Sequence, residues 1–351
     1  MAAKTNSGNF FEDFRVGQVL KHATPRTLTI GDVAIYMSLY GPRFAVQSSD
    51  AFARSLGYPA APIDDLLVFH IVFGKTVPDI SLNAVANLGY ASCRFLRPVF
   101  AGDTLAASSE VIGVRETSSH DAGVVYIESR GTNQRGEAVL EYVRWVMVRK
   151  RDVKAPAPAP IVPTLPERMD PSTLGGAVPE LRVQSWDPAL AGSSHRWADY
   201  AVGEKIDHAD GMTIEEAEHQ MAARLYQNTA RVHFNAHAEK GSRFGRRLIY
   251  GGVVISLARA LSFNGLGSAF HVAGINGGRH VAPCFAGDTV YSWSEVLEKA
   301  ELPGRSDIGL LRVRHVAVKD RSCADFPFKR PDGQYAEGIV LDLDVWLALP
   351  R

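Results

Sequence analysis

The strongest constraint on the fold is an internal repeat that divides the chain into two similar halves. Three pairs of segments carry the repeat in the same order: Phe14–Gly17 with Tyr200–Gly203, Leu39–Tyr40 with Leu225–Tyr226, and Arg97–Leu105 with Ala282–Val290. Equivalent residues in these pairs lie 185 or 186 positions apart. Because several matches at nearly one spacing are hard to obtain by chance, and because this spacing is too long for a solenoid, the sequence predicts a tandem duplication of one domain.

A segment rich in proline and alanine separates the two halves. Proline alternates with alanine from Ala155 to Pro160, and Pro163 and Pro166 follow. Proline lacks a backbone N–H and fixes φ, so this segment cannot lie inside a helix or a sheet and is predicted to be extended. We therefore divide the chain into an N-terminal domain at residues 1–153, a linker at 154–168 and a C-terminal domain at 169–351.

The two halves share one order of predicted elements. Two helices are predicted in each half: residues 30–40 and 64–75, then 214–226 and 252–263. The later helix of each half is apolar on most faces and should be buried, and Thr213 with Glu216 has the spacing of a capping box. Four strands follow in each half: residues 85–95, 104–114, 124–132 and 139–148, then 270–282, 289–297, 309–318 and 338–349. A buried helix followed by antiparallel strands is α+β.

Composition narrows the possible partners and compartment. Lys+Arg and Asp+Glu both number 38, so the balanced charge argues against a nucleic-acid or membrane-surface partner. The 3 cysteines are too few for a disulfide framework and lack metal-ligand spacing. The sequence shows neither a secretory leader nor an apolar run long enough to span a membrane. These features predict a cytoplasmic protein.

The segment Gln227–Asn235 resembles the active-site motif of the MaoC-like (R)-specific enoyl-CoA hydratases, in which an Asp and a His lie five residues apart in a G-D-x-N-P-x-H pattern. In this chain His233 stands at the His position, and Asn228 stands where the family has Asp. The resemblance covers nearly the whole chain. It implies a tandem, or double, hot-dog fold, in which an antiparallel sheet wraps a central helix in each half.

The resemblance also implies roles for residues of the second half. Hydration of an enoyl thioester needs an activated water, a proton for the α-carbon and donors for the enolate oxygen. His233 can carry a proton both ways near neutral pH. Asn228 cannot act as a base, so we expect it to position water, or else only to cap the adjacent turn. Gly252 matches the family's oxyanion glycine or is a simple helix-start residue, and Gly251 replaces a family His, which would widen the pocket.

The first half lacks the catalytic pair. At the spacing of the repeat, Pro42 lies opposite Asn228 and Gln47 lies opposite His233, and neither can do acid–base chemistry. Asp64 and Asp65 stand at the equivalent helix start, where carboxylates usually stabilise the helix. The first half is therefore predicted to shape the acyl pocket.

Basic residues crowd around the second-half motif: Arg224, Arg231, Arg243, Arg246 and Arg247. They form either a solvated basic face or a site for anions, namely CoA phosphates or a second carboxylate of the acyl group. Arg231 replaces a family Pro beside the catalytic loop and is the preferred carboxylate partner. Arg247 is predicted to bind substrate as well.

Together these features predict a lyase. The resemblance implies the reversible hydration of mesaconyl-CoA to β-methylmalyl-CoA by a homo-oligomer, without metal or redox cofactor and with CoA as part of the substrate. A hydratase of another enoyl-CoA and a non-catalytic acyl-thioester-binding protein are the alternatives. His233 and Gly252 persist in one half while the other half has lost its pair, and this asymmetry favours an enzyme.

Overall fold

The computed structural model describes residues 4–351, and its strands form one sheet. Each half contributes five strands, which are β1–β5 at Val19–Thr27, Ala84–Phe95, Thr104–Glu116, Ala122–Thr132 and Ala138–Arg149, and β6–β10 at Lys205–Thr213, His271–His280, Thr289–Glu301, Ile308–Lys319 and Ile339–Pro350. The ten strands pair in the order β1-β3-β4-β5-β2-β7-β10-β9-β8-β6, with antiparallel neighbours throughout.

The helices lie between strands along the chain. They are α1–α4 at Ile30–Tyr40, Ala45–Ser48, Asp50–Leu56 and Asp65–Thr76, and α5–α10 at Pro188–Ala191, Glu216–Leu225, Arg231–Phe234, Ala236–Glu239, Gly251–Leu261 and Phe263–Leu266. The apolar helices α4 and α9 are buried along nearly their whole length and share one hydrophobic core that spans both halves. None of the helices in residues 4–351 is long and apolar enough to cross a membrane.

The halves meet around a pseudo-twofold axis, because residues at equivalent positions of the repeat contact each other. Strand β2 pairs with β7, and Ala91 lies opposite its own equivalent, Gly277. The hydroxyl of Tyr226 donates to that of Tyr40 over 2.8 Å, and these residues are also equivalent. A twofold contact brings each surface patch against its own copy. The duplicated sequence therefore folds as an internal dimer with a continuous sheet.

A repeated polar ladder supports the same symmetry. His22 Nε2 lies 2.8 Å from Ser109 Oγ in the first half, and His208 Nε2 lies 2.6 Å from Ser294 Oγ at the equivalent place in the second. Burial lowers the pKa of both histidines, to about 4 for His208. Because both are neutral and hydrogen-bonded in equivalent strands, their role is structural.

The structure corrects two details of the sequence prediction. Strands β1 and β6 were not predicted, since they are edge strands whose side chains are mostly exposed and show no apolar alternation. The predicted capping box is also wrong, because Thr213 ends β6 and its hydroxyl bonds Thr289. Helix α6 instead begins after Glu215.

The segment between the halves runs along the first half before entering the second. Residues 154–168 contain neither helix nor strand, and Ile161 forms an isolated bridge with Val114. The chain that follows is buried against helix α3, and its apolar side chains there include Met169, Leu181 and Trp186. This second core cluster ties the start of the C-terminal region to the N-terminal half. The domain boundaries at 153 and 168 stay a prediction.

Candidate active site

A cavity of about 840 Å³ lies between the two halves. The second half lines it with residues from 228–243, the start of α9 and the end of β7. The first half contributes residues 81–87 and parts of α4, β2 and β5. A concave site of this size, lined by both apolar and polar side chains, suits an organic ligand. Residues of the sequence motif and residues of the first half therefore line the same cavity.

His233 lines this cavity from the short helix α7. Its Nδ1 lies 2.9 Å from the carbonyl oxygen of Leu248. Since a carbonyl can only accept, Nδ1 carries the proton and Nε2 keeps its lone pair. Burial lowers the pKa of His233 to about 4, so the imidazole is neutral at pH 7. The hydrogen bond to the backbone therefore leaves Nε2 of His233 as the atom that can accept a proton.

Asn228 is buried beside His233's helix and also lines the cavity. Its Oδ1 accepts a hydrogen bond from the N–H of Ala230 over 3.2 Å. The amide oxygen therefore caps the turn, as one of the two interpretations of the sequence expected. The Nδ2 group has no partner among residues 4–351, so it remains free to donate to a water or substrate oxygen.

The start of α9 brings backbone N–H groups to the cavity. Gly251 lines the cavity, whereas Gly252 is buried behind it and packs against His70 and Tyr250. A Cβ at Gly252 would lie 2.3 Å from the Tyr250 ring, so only glycine fits. The first N–H groups of a helix have no intrahelical partner and carry positive potential. They can stabilise a developing oxyanion at this point.

His280 is a cavity residue that the sequence analysis missed. It ends β7, and a Cβ on Gly251 would lie 2.3 Å from its ring. The missing side chain at Gly251 thus makes room for an imidazole from a neighbouring strand, and the pocket is not simply wider there. Burial, and to a lesser degree His233, lowers the pKa of His280 to about 4. No local pattern marks His280, because only the pairing of β7 brings it to α9.

The arginines near the motif occupy different places. Arg231 and Arg243 line the cavity with exposed side chains. Arg247 does not line it, and its guanidinium is bound by Glu216 and Gln220 of α6. This geometry disagrees with a substrate contact for Arg247 and gives it a structural role. The structure also adds an arginine that was not predicted, Arg144 of β5, which is buried in the cavity wall.

The equivalent place in the first half is closed. A space of about 10 Å³ remains beside Pro42, Gln47 and Asp64, which is at the lower limit for one water. The Gln47 amide donates to the carbonyl of Phe270 over 2.7 Å, and Asp64 caps α4 by accepting from the N–H of Leu66. Burial raises the pKa of Asp64 to about 6. Phe44 fills the position of the cavity-lining Ala230.

Comparison with known protein families identifies the family to which the chain belongs. A family model described as mesaconyl-CoA hydratase matches residues 1–330. The chain belongs to the mesaconyl-CoA hydratase family. A relative, the beta-methylmalyl-CoA dehydratase of Chloroflexus aurantiacus, is 62% identical over 352 residues, which cover 100% of this chain and 99% of that protein.

Solved structures confirm the fold of this family member. A MaoC domain dehydratase from Chloroflexus aurantiacus is 61% identical, with a TM-score of 0.97 over 100% of this chain and 99% of that one. A Mycobacterium tuberculosis protein described as a double hotdog fold is 25% identical, with a TM-score of 0.74 over 98% and 99% of the two chains. The predicted α+β tandem hot-dog fold and the MaoC-like resemblance are therefore confirmed.

Proposed function

We propose that this protein is a hydro-lyase that catalyses the reversible hydration of mesaconyl-CoA to β-methylmalyl-CoA. Membership in the mesaconyl-CoA hydratase family supports this substrate pair. The observation that carries the proposal is His233, a neutral imidazole at the cavity wall whose Nδ1 donates to the carbonyl of Leu248 and whose Nε2 has no hydrogen-bond partner within residues 4–351. Such a group is a ready acid–base catalyst beside an acyl-sized cavity.

In the proposed reaction His233 both takes and gives the proton. Its Nε2 removes a proton from water as the water oxygen bonds to the β-carbon of the enoyl thioester. The electron pair of the C=C bond moves towards the thioester carbonyl, and the resulting imidazolium then protonates the α-carbon. One water is thereby added across the double bond, and His233 returns to its neutral form.

The other cavity groups assist these transfers. The Nδ2 group of Asn228 donates to the attacking water and orients it. The N–H group of Gly251, which lines the cavity at the start of α9, stabilises the negative charge that develops on the thioester oxygen, and Gly252 behind it permits the close packing of the helix start. His280 lies against Gly251 and offers a second neutral imidazole to the same region. Arg231 and Arg243, at exposed positions of the cavity, are suited to the phosphates of CoA, the carrier part of the substrate.

Incubation of the purified protein with mesaconyl-CoA tests the proposal. We expect the enoyl absorbance to fall and β-methylmalyl-CoA to be detected by mass spectrometry. Turnover of crotonyl-CoA but not of mesaconyl-CoA would indicate a hydratase of another enoyl-CoA. Binding of both thioesters without turnover would indicate an acyl-thioester-binding protein. A homo-oligomeric state and the independence from cofactors stay predictions, which sedimentation and assays with chelator would test.

A further inference from the structure

Arg144 is a buried cation in the wall of the active-site cavity. It lies on β5 of the first half, opposite Tyr90 of β2, and is 0% exposed. Its guanidinium lies 4.2 Å from the centre of the Phe73 ring, and all three residues line the cavity. A charge at this depth is costly unless it is paired.

The described residues supply hydrogen-bond acceptors for only part of this guanidinium. Nη2 donates to the hydroxyl of Thr76 over 2.9 Å, while Nε and Nη1 have no hydrogen-bond partner in the part of the chain that the structure describes. Within residues 4–351 no carboxylate forms an ion pair with Arg144. Burial lowers the pKa of Arg144, yet a guanidinium keeps its charge in proteins. The cavity therefore holds a fixed cation with donors to spare.

A second unsatisfied group lies in the same wall. Asn87 on β2 lines the cavity, and both of its amide atoms are buried with no hydrogen-bond partner from residues 4 to 351. Its amide can donate to a carboxylate that Arg144 neutralises. Two side chains on adjacent strands of one cavity, each with buried polar atoms that find no partner among the described residues, indicate a built site for an anionic group.

We propose that Arg144 binds the free carboxylate of the acyl group and makes the cavity selective for dicarboxylyl thioesters. The inference rests on the proposed function, in which that carboxylate is attached to the carbon that receives the hydroxyl. Arg144 would then orient the reacting carbon as well as recognise the substrate. Arg231, the candidate from sequence, is exposed, so solvent screens its charge and weakens any selective pairing.

Two matched thioesters test the proposal. Mesaconyl-CoA carries the carboxylate, and (E)-2-methylcrotonyl-CoA has the same branched enoyl skeleton with a methyl group in its place. We expect Arg144→Met to lower kcat/KM for mesaconyl-CoA on the order of 100-fold or more, since one partner of a desolvated charge pair is lost. Activity on the methyl analogue should hold or rise, and Arg144→Lys should recover part of the activity on mesaconyl-CoA.

Arg259→Met is the matched control, because Arg259 is also a buried arginine but lies outside the cavity, over the ring of Phe44. It should lower thermal stability without changing the ratio of the two kcat/KM values. Arg231→Gln should affect both thioesters alike. An equal loss on both thioesters in Arg144→Met, or a lower melting temperature as its only effect, would overturn the role of Arg144.

Binding measurements separate this inference from the proposed function. If the wild-type protein binds mesaconyl-CoA more tightly than the analogue by calorimetry, and Arg144→Met abolishes that preference, the carboxylate site stands even without turnover. If the wild-type protein hydrates mesaconyl-CoA and Arg144→Met keeps the full preference, the function stands and the site assignment falls. Should Arg144→Met fail to fold, the same comparison in Arg144→Lys and Asn87→Ala decides.

Discussion

At the scale of single residues, hydrogen bonds to the backbone decide which side-chain atoms of the site remain available to a ligand. The carbonyl of Leu248 holds the Nδ1 proton of His233, and the N–H of Ala230 holds Oδ1 of Asn228. Each backbone bond leaves one defined atom of the side chain for the cavity, a lone pair on His233 and a donor on Asn228. In the proposed mechanism the pair therefore does not need the carboxylate that the family motif places at position 228.

His233→Ala should reduce kcat by roughly 10²–10⁴-fold while the fold is retained, because it removes the acid–base group. Circular dichroism and steady-state hydration of mesaconyl-CoA measure the two effects. In the wild-type protein the titration of His233 should leave kcat/KM independent of pH around neutrality and make it decline as the pH falls towards about 4, where the imidazole becomes protonated. A folded variant with most of its kcat would remove His233 from the mechanism.

Asn228→Asp restores the carboxylate of the family motif but takes away the Nδ2 donor. Relative to wild type, we expect kcat/KM to fall more for mesaconyl-CoA than for crotonyl-CoA, because the new anion repels the carboxylate that only mesaconyl-CoA carries. The pH profile should also change, since a second titrating group joins His233. Unchanged kinetics and pH dependence on both thioesters would mean that Asn228 takes no part.

At the scale of elements, the proposed catalytic region is formed by the ends of elements: the start of α9, the end of β7 and the short helix α7. Helix and strand interiors were predictable because their apolar periodicity is local. The edge strands β1 and β6 were not, since an exposed strand leaves little pattern in the sequence. The side chain that fills the space beside Gly251 also escaped prediction, because it arrives from an element 20 or more residues away in the chain.

Gly251→Ala tests this junction. The added methyl group would lie 2.3 Å from the ring of His280, so the imidazole or the start of α9 must shift. We expect kcat to fall at least 10-fold, as small misplacements at a reacting centre are costly. Gly277→Ala is the control. Gly277 lies on β7, the strand of His280, and a Cβ at this position makes only an ordinary contact of 3.5 Å. Equal kinetics of the two variants would argue against a role for His280 and the helix start.

At the scale of the whole molecule, duplication has produced two unequal halves around one axis. The second half keeps the imidazole and an open cavity, while the first has closed its own site with Phe44 and supplies walls, including Arg144, to the other. The two halves can differ in this way because one half of an internal dimer can change its sequence while the twofold packing of α4, α9, β2 and β7 is kept.

Gln47→Ala provides the whole-molecule test, because Gln47 is the repeat equivalent of His233. The variant loses the hydrogen bond to Phe270, so the free energy of unfolding should fall by about 1 kcal/mol. The value of kcat should stay within a few-fold of wild type, since the closed first-half site has no chemistry. Urea unfolding and steady-state kinetics measure these effects. A severe loss of kcat at normal stability would show that both halves react.

The sequence by itself determined the tandem duplication, the order of the four longer helices and of the eight strands between the two sheet edges, and the positions of His233, Asn228 and the paired glycines. Each of these follows from a repeat, a local periodicity or a short motif, all of which are properties of residues close together in the chain. It also predicted that the first half lacks a catalytic pair.

The tertiary structure alone decided which other side chains share the cavity. Arg144 and His280 enter it from strands of different halves, and Arg247, next to the motif in sequence, turns away to Glu216 and Gln220. The physical reason is that antiparallel pairing of β2 with β7 and the burial of α4 and α9 set these distances. Such contacts depend on long-range packing, which nearness in sequence does not encode.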